Sequence, residues 1–189
     1  GSVTPQSAAI IDACEWRKPG QKPVMTDTRT FAIHCVSDAL RWIDAEIQWT
    51  AVEDVAIEKT NHALFSLRAA ADLIPWAGGK LENSLGKSGE KETFGRPAAW
   101  CTYYNKRMSV AGERVEGVAL FDHPFNPWKP CPWFTRAYGF IAPNPFNFSD
   151  KPWRLEAGKS VQLRYRVVAY AGTPREADLD GIYKAWVRA

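Results

Sequence analysis

The sequence has no long apolar run, almost no net charge and only three histidines, and each shortage removes a class of function. A helix needs about 20 consecutive apolar residues to cross a bilayer, so neither a helical membrane span nor a membrane partner is expected. The 24 Lys and Arg residues stand against 21 Asp and Glu, leaving a formal charge of +3. No window gathers the cations into a stripe, so nucleic acid is not an expected partner. The four cysteines, Cys14, Cys35, Cys101 and Cys131, include no C-x-x-C pair, which excludes a zinc ribbon or a thioredoxin-type site. Buried free thiols are the simpler reading, and one or two disulfides in an exported protein the other. An exported or periplasmic location is favoured over a cytoplasmic one. The patterns G-x-S-x-G, G-x-x-x-x-G-K-[ST], G-x-G-x-x-G and H-E-x-x-H are absent, which leaves serine-hydrolase, P-loop, dinucleotide and zincin chemistry without support.

What is present describes a folded chain. A length of 189 residues with 46% hydrophobic and 13% aromatic residues suffices for one core. Gly1-Ser2 reads as a cloning scar, and residues 3–189 as a single domain. From Arg41 to Ala51 the odd positions Ile43, Ala45, Ile47, Trp49 and Ala51 are apolar while Asp44, Glu46, Gln48 and Thr50 alternate with them. That period of two predicts an antiparallel strand with one buried face. The Thr-, Val-, Ile- and Phe-rich run Val24 to Val36 predicts a second strand. Further strands are expected at Asn61 to Ala69, Ala98 to Tyr104, Val115 to Asp122 and Val161 to Tyr170, separated by Gly, Pro, Asn and Ser clusters. With no helix between them, they indicate an all-β antiparallel β-sandwich. At the C-terminus, Thr173-Pro174-Arg175-Glu176 has the capping-box form. Leu179, Ile182, Tyr183 and Trp186 then share one helical face, so a short C-terminal α-helix packs on the sandwich. The segment Phe121 to Trp153 is rich in proline and aromatics and lacks periodicity, the composition of rigid, site-building loops.

Candidate chemistry starts from the histidines. His34 falls inside a strand and reads as structural. His62, at the start of a strand, and His123, after Asp122 at the end of another, would meet if those strand ends share a rim. Together they form a general acid/base group or part of a metal site. Two His and one carboxylate match no metal spacing, so no cofactor is expected and a divalent metal is the alternative. Asn83-Ser84 with Gly86 and Gly89 reads first as a turn, and as a substrate-binding loop second. Trp100, Trp133 and Tyr138 serve either as packing or as aromatic faces for sugar rings. Arg136 is the strongest candidate for holding a carboxylate or hydroxyl pair through its planar fork. Asn147-Phe148-Ser149 matches a glycosylation acceptor.

Several ordered motifs then suggest kinship. Thr60-Asn61-His62-x-Leu64-Phe65, Glu82-Asn83-Ser84-x-Gly86-x-x-Gly89-Glu90, Phe94-Gly95-x-Pro97-Ala98-x-Trp100-Cys101, Asp122-His123-Pro124-x-Asn126, Pro132-Trp133-Phe134-Thr135-Arg136-x-Tyr138-Gly139 and Leu163-Arg164-Tyr165-Arg166-Val167 together resemble a bacterial family labelled PmoA-like, or methane-oxygenase-like. The resemblance runs from about Thr26 onward. It implies a large supersandwich of the kind seen in sugar mutarotases and polysaccharide-processing enzymes. It also implies a longer parent protein, of which this chain is the C-terminal part. Family members carry Asp between the Arg and Tyr where this chain has Ala137.

The function expected on this basis is carbohydrate processing. His123, Asp122 and His62 are its catalytic residues, and Asn61, Asn83, Trp100, Trp133, Arg136 and Tyr138 bind a sugar or oligosaccharide. The alternatives are a non-catalytic carbohydrate-binding or interaction module and a metal-dependent oxygenase. Exposed sheet edges would favour a homodimer.

Overall fold

The computed structural model describes residues 3–4, 6–61, 64–109 and 112–188. Its strands are β1 (Ser7–Trp16), β2 (Met25–Ser37), β3 (Leu40–Ala51), β4 (Val55–Ile57), β5 (Leu67–Arg68), β6 (Lys80–Asn83), β7 (Trp100–Ser109), β8 (Gly112–Asp122), β9 (Trp133–Thr135), β10 (Phe140–Pro143), β11 (Trp153–Leu155) and β12 (Ser160–Ala171). Two α-helices, α1 (Glu90–Thr93) and α2 (Leu179–Trp186), and two 3₁₀ turns, Pro75–Ala77 and Phe146–Phe148, complete the set among the described residues. No described helix is long and apolar enough to cross a membrane.

The alternating segment forms the centre of the molecule. β3 buries Ala45, Ile47, Trp49 and Ala51 on one face, as its period of two requires. β2 and β12 flank it in antiparallel register, with Asp27 opposite Trp49 and Leu163 opposite Ile47. The sheet grows outward from this trio into seven antiparallel strands in the order β1-β2-β3-β12-β8-β7-β6. A second layer covers one face: β5, β10 and β9 make a three-stranded sheet and β11 pairs with β4. Between the layers, Leu81, Cys101, Tyr103, Leu120, Leu163 and Tyr165 meet Leu73, Ile74, Trp133, Ile141 and Leu155. The fold is therefore an all-β, antiparallel layered sandwich, not a closed barrel.

The opposite face of the main sheet is partly covered by α2, whose Leu179, Ile182, Tyr183 and Trp186 pack on Trp100, Phe121, Val168 and Tyr170. The capping box forms as expected: Glu176 N donates to Thr173 Oγ1 at 3.3 Å and Thr173 N to Glu176 Oε2 at 2.8 Å. It closes only a turn, however. Asp178 then takes a left-handed backbone (φ 50°), and its own side chain accepts from Gly181 N to start the helix at Leu179.

Three other expectations are corrected. The strand expected over Asn61 to Ala69 is reduced to Leu67–Arg68; Leu64 lies at φ 59°, a conformation no strand tolerates. β1 and β6 carry no clean alternation and were not expected as strands. The proline-rich stretch supplies β9 and β10, three and four residues long, all buried. The four cysteines are free thiols, with Cys101 and Cys131 buried.

Candidate functional site

Among the described residues, the candidates singled out by sequence do not converge. Asp122 ends β8 on the inner, layered side. Its carboxylate accepts from Asn126 Nδ2 at 2.7 Å and pairs with Lys129 Nζ at 3.3 Å. Burial pushes its pKa up, against the opposing pull of Lys129 and Asn126. His123 follows on the other side of the sheet, its ring 4.8 Å from that of Trp186 on α2, as residues after one another in extended chain face opposite ways. Its Nδ1 accepts from Phe125 N at 3.2 Å, so in the neutral ring the proton sits on Nε2. Burial, then the charges of Arg164 and Lys129, lower its pKa. Asp122 and His123 therefore present their side chains to opposite faces of the sheet. His62 lies outside the described residues, and Asn61 is exposed.

The remaining candidates hold the scaffold. Asn83 Oδ1 accepts from Leu85 N and Lys87 N at 3.0 and 3.1 Å, closing a turn that passes through Gly86 at φ 68°. Trp100 is 4% exposed, and its Nε1 ties α2 down through Asp180 Oδ1 at 2.9 Å. Trp133, fully buried, donates to Ala98 O at 3.0 Å; it is core and offers no platform to a sugar. Arg136 is committed to Glu90 at 2.7 Å and stacked on Phe94 and Phe134. Burial alone would raise the Glu90 pKa, but hydrogen bonds from Ala137 N–H and Arg136 bring it below the ordinary value. Ala137 thus lends its backbone N–H to a structural carboxylate. Tyr138 is partly buried, packed against Phe134, Phe140 and Ala142.

The main concavity lies elsewhere, where the second layer stops short of β1 and β2. It is a cleft of about 510 Å³ walled by Trp16, Phe31, Trp49, Phe65, Phe140 and Phe146, with Arg29 at one side. That volume is in the range of small-molecule sites. Trp16 meets Trp49 edge to face at 5.9 Å. Arg29 is held by Asp27, whose Oδ2 takes Arg29 Nη2 at 2.7 Å and Trp16 Nε1 at 2.6 Å. Hydrogen bonding to Asp27 raises the guanidinium pKa above its already high ordinary value. Asp27 is 2% exposed, and its Oδ1 has no hydrogen-bond partner among the described residues. One planar cation is thus fixed at the rim of an apolar, aromatic-walled cleft.

Thr60 and Leu64, on either side of the undescribed pair 62–63, also line this cleft. The signal that sequence reading overlooked was phase. With Trp49 inward and Asp27 opposite it, Asp27, Arg29 and Phe31 all point inward, and an ion pair in the inward phase of a half-buried strand marks a site rather than a core. Among the described residues no group of three or more His, Cys, Asp or Glu is placed to hold a metal ion.

Fold and cleft together define a layered antiparallel β protein with an aromatic-walled, cation-bearing cleft. The chain belongs to the family described as a family of unknown function (DUF6807), whose match spans residues 2–184. That description carries no activity and links the chain neither to methane oxygenases nor to sugars. No curated protein matches the sequence.

Proposed function

We propose that the protein binds a carbohydrate in the Trp16–Phe31–Trp49–Phe65 cleft and that this chain acts as a binding module. The observation that carries the reading is the Arg29 guanidinium, pinned by Asp27 beside aromatic walls. A pyranose ring presents apolar C–H faces and a polar hydroxyl edge, and the cleft offers aromatic surface and directed N–H donors to match. The catalytic reading has one observation in its favour. His123 lines a separate depression of about 460 Å³ with Asp44, Arg164, Arg166 and Trp186, so an imidazole does face a cavity, though not the one with aromatic walls.

Thermal-shift titration with neutral and acidic oligosaccharides separates the two readings, because a ligand that binds only the folded state raises Tm. A shift abolished by Phe31→Ala and retained by His123→Gln supports the cleft. A shift lost with His123→Gln and kept by Phe31→Ala moves the site to the other face.

A further inference from the structure

Away from the cleft, a solvent-facing tryptophan sits on an unusually fixed support. Trp76 is 74% exposed, a costly placement for the largest apolar side chain. It occupies a single 3₁₀ turn, Pro75–Ala77, that starts with Pro and closes on Gly78 at φ 84°. Asn105 Nδ2 braces the turn from below by donating to Asp72 O and Ala77 O at 2.7 and 3.2 Å. A Cβ on Gly79 would lie 2.0 Å from Leu73 O, so the backbone passes where no other residue fits. The neighbouring loop is locked to this one in the same way: a Cβ on Gly139 would lie 2.6 Å from Ile74 Cγ2. That second loop carries Tyr138, whose ring centroid is 5.9 Å from that of Trp76 at an interplanar angle of 58°.

The third member is a cation. Arg68 is exposed on β5, and its guanidinium lies 4.9 Å over the Tyr138 ring and 5.9 Å from that of Phe140. Among the described residues it has no ion pair and no hydrogen bond. The carboxylate of Asp72, four residues further along the chain, is engaged by Arg107 at 2.8 Å. A stacked guanidinium with all its N–H donors unspent differs from Arg29 and Arg136, which are each tied to a carboxylate.

We propose that Trp76, Tyr138 and Arg68 form a second ligand site on the outer surface, which takes a uronic-acid residue of an acidic oligosaccharide. Trp76 receives the C–H face of the sugar ring, and Arg68, seated on the Tyr138 ring, takes its carboxylate through the planar fork. Neutral saccharides stack there more weakly because they leave the cation unmatched. The site is independent of the cleft, and glycines fix its geometry before any ligand arrives.

Isothermal titration calorimetry with hexagalacturonate and with the neutral cellohexaose tests this. Wild type binds hexagalacturonate more tightly than cellohexaose. Loss of one stacking surface in Trp76→Ala weakens hexagalacturonate binding about tenfold or more. Arg68→Gln brings the acidic ligand down to the neutral one. Both side chains are exposed, so far-UV circular dichroism and Tm stay at wild-type values in these variants, and the Trp76- and Arg68-dependent part of uronate binding persists in a Phe31→Ala background, where the cleft no longer binds. No binding of hexagalacturonate by wild type, or equal binding by wild type and Trp76→Ala, overturns the proposal. Loss of uronate binding in Phe31→Ala alone assigns that ligand to the cleft instead. Sedimentation that shows a dimer dispersed by Trp76→Ala overturns it too, by making the patch a contact between copies.

Discussion

The two ends of the main sheet are finished in opposite ways. At β6, β7 and β8 the inner face is roofed by the second layer, and Leu81, Tyr103 and Leu120 are 1% exposed or less. At β1 and β2 the roof stops, and the same face carries Asp27, Arg29, Phe31 and Trp16 around an open cleft. Nearly every motif that suggested chemistry in the sequence falls in or beside the roofed half, where it closes turns, pins α2 and ties loops to the core. In the half able to receive a ligand, the Thr60–Phe65 motif contributes Thr60, Leu64 and Phe65 to the cleft. An ordered set of motifs thus reports how the scaffold is held as readily as where it acts.

The contrast is broken or sharpened first by truncation. Trp133→Ala in the roofed half removes a fully buried indole and lowers unfolding stability by about 3–5 kcal/mol. Phe31→Ala in the open half costs about 1–2 kcal/mol, since its ring is only partly buried. Urea denaturation with a constant m-value checks both, and equal losses would mean that the open half is ordinary core. Asp122→Ala strands the Asn126 and Lys129 donors and costs about 1–3 kcal/mol. Ligand binding in the cleft stays at wild-type strength in that variant, which calorimetry measures directly.

The third effect depends on pH. Burial lowers the His123 pKa in the folded protein, so the unfolded chain takes up the proton first on acidification. Its contribution to stability is therefore complete above the ordinary histidine value of about 6.5. It is lost as pH falls from there through the folded-state pKa. Urea midpoints at pH 7.5, 6 and 5 should decline, and His123→Phe should flatten that decline; a wild-type profile that rises toward pH 5 contradicts the burial. The smallest effect belongs to the capping box, where Thr173→Ala costs about 1 kcal/mol and leaves both halves of the sheet intact.

Much of the fold was legible because its physics is local. Alternation in β3 gave its buried face outright, and the capping box and helical stripe gave α2, although Asp178 delays the helix past the box. β1 escaped because Ala8, Ala9 and Ala13 blur any alternation, and its pairing with β2 is fixed only by tertiary register. The candidate site was less legible for the same reason. Asp122 and His123 are neighbours in sequence but face opposite layers, while Trp16, Arg29 and Trp49 become neighbours only when three strands align. Trp133 and Arg136 carried the composition of a sugar platform, yet burial and the Glu90 ion pair had already claimed them.

The most direct test follows the Trp16 indole N–H, which donates to Asp27 Oδ2 at 2.6 Å beside the cleft. Its ¹H–¹⁵N signal, titrated with an oligosaccharide mixture, should shift together with the Arg29 and Phe31 amides, while the Trp133 indole stays in place. Shifts centred on Trp186 and His123, or no shift at the Trp16 indole with any sugar, would contradict the assignment of the open half as the binding site.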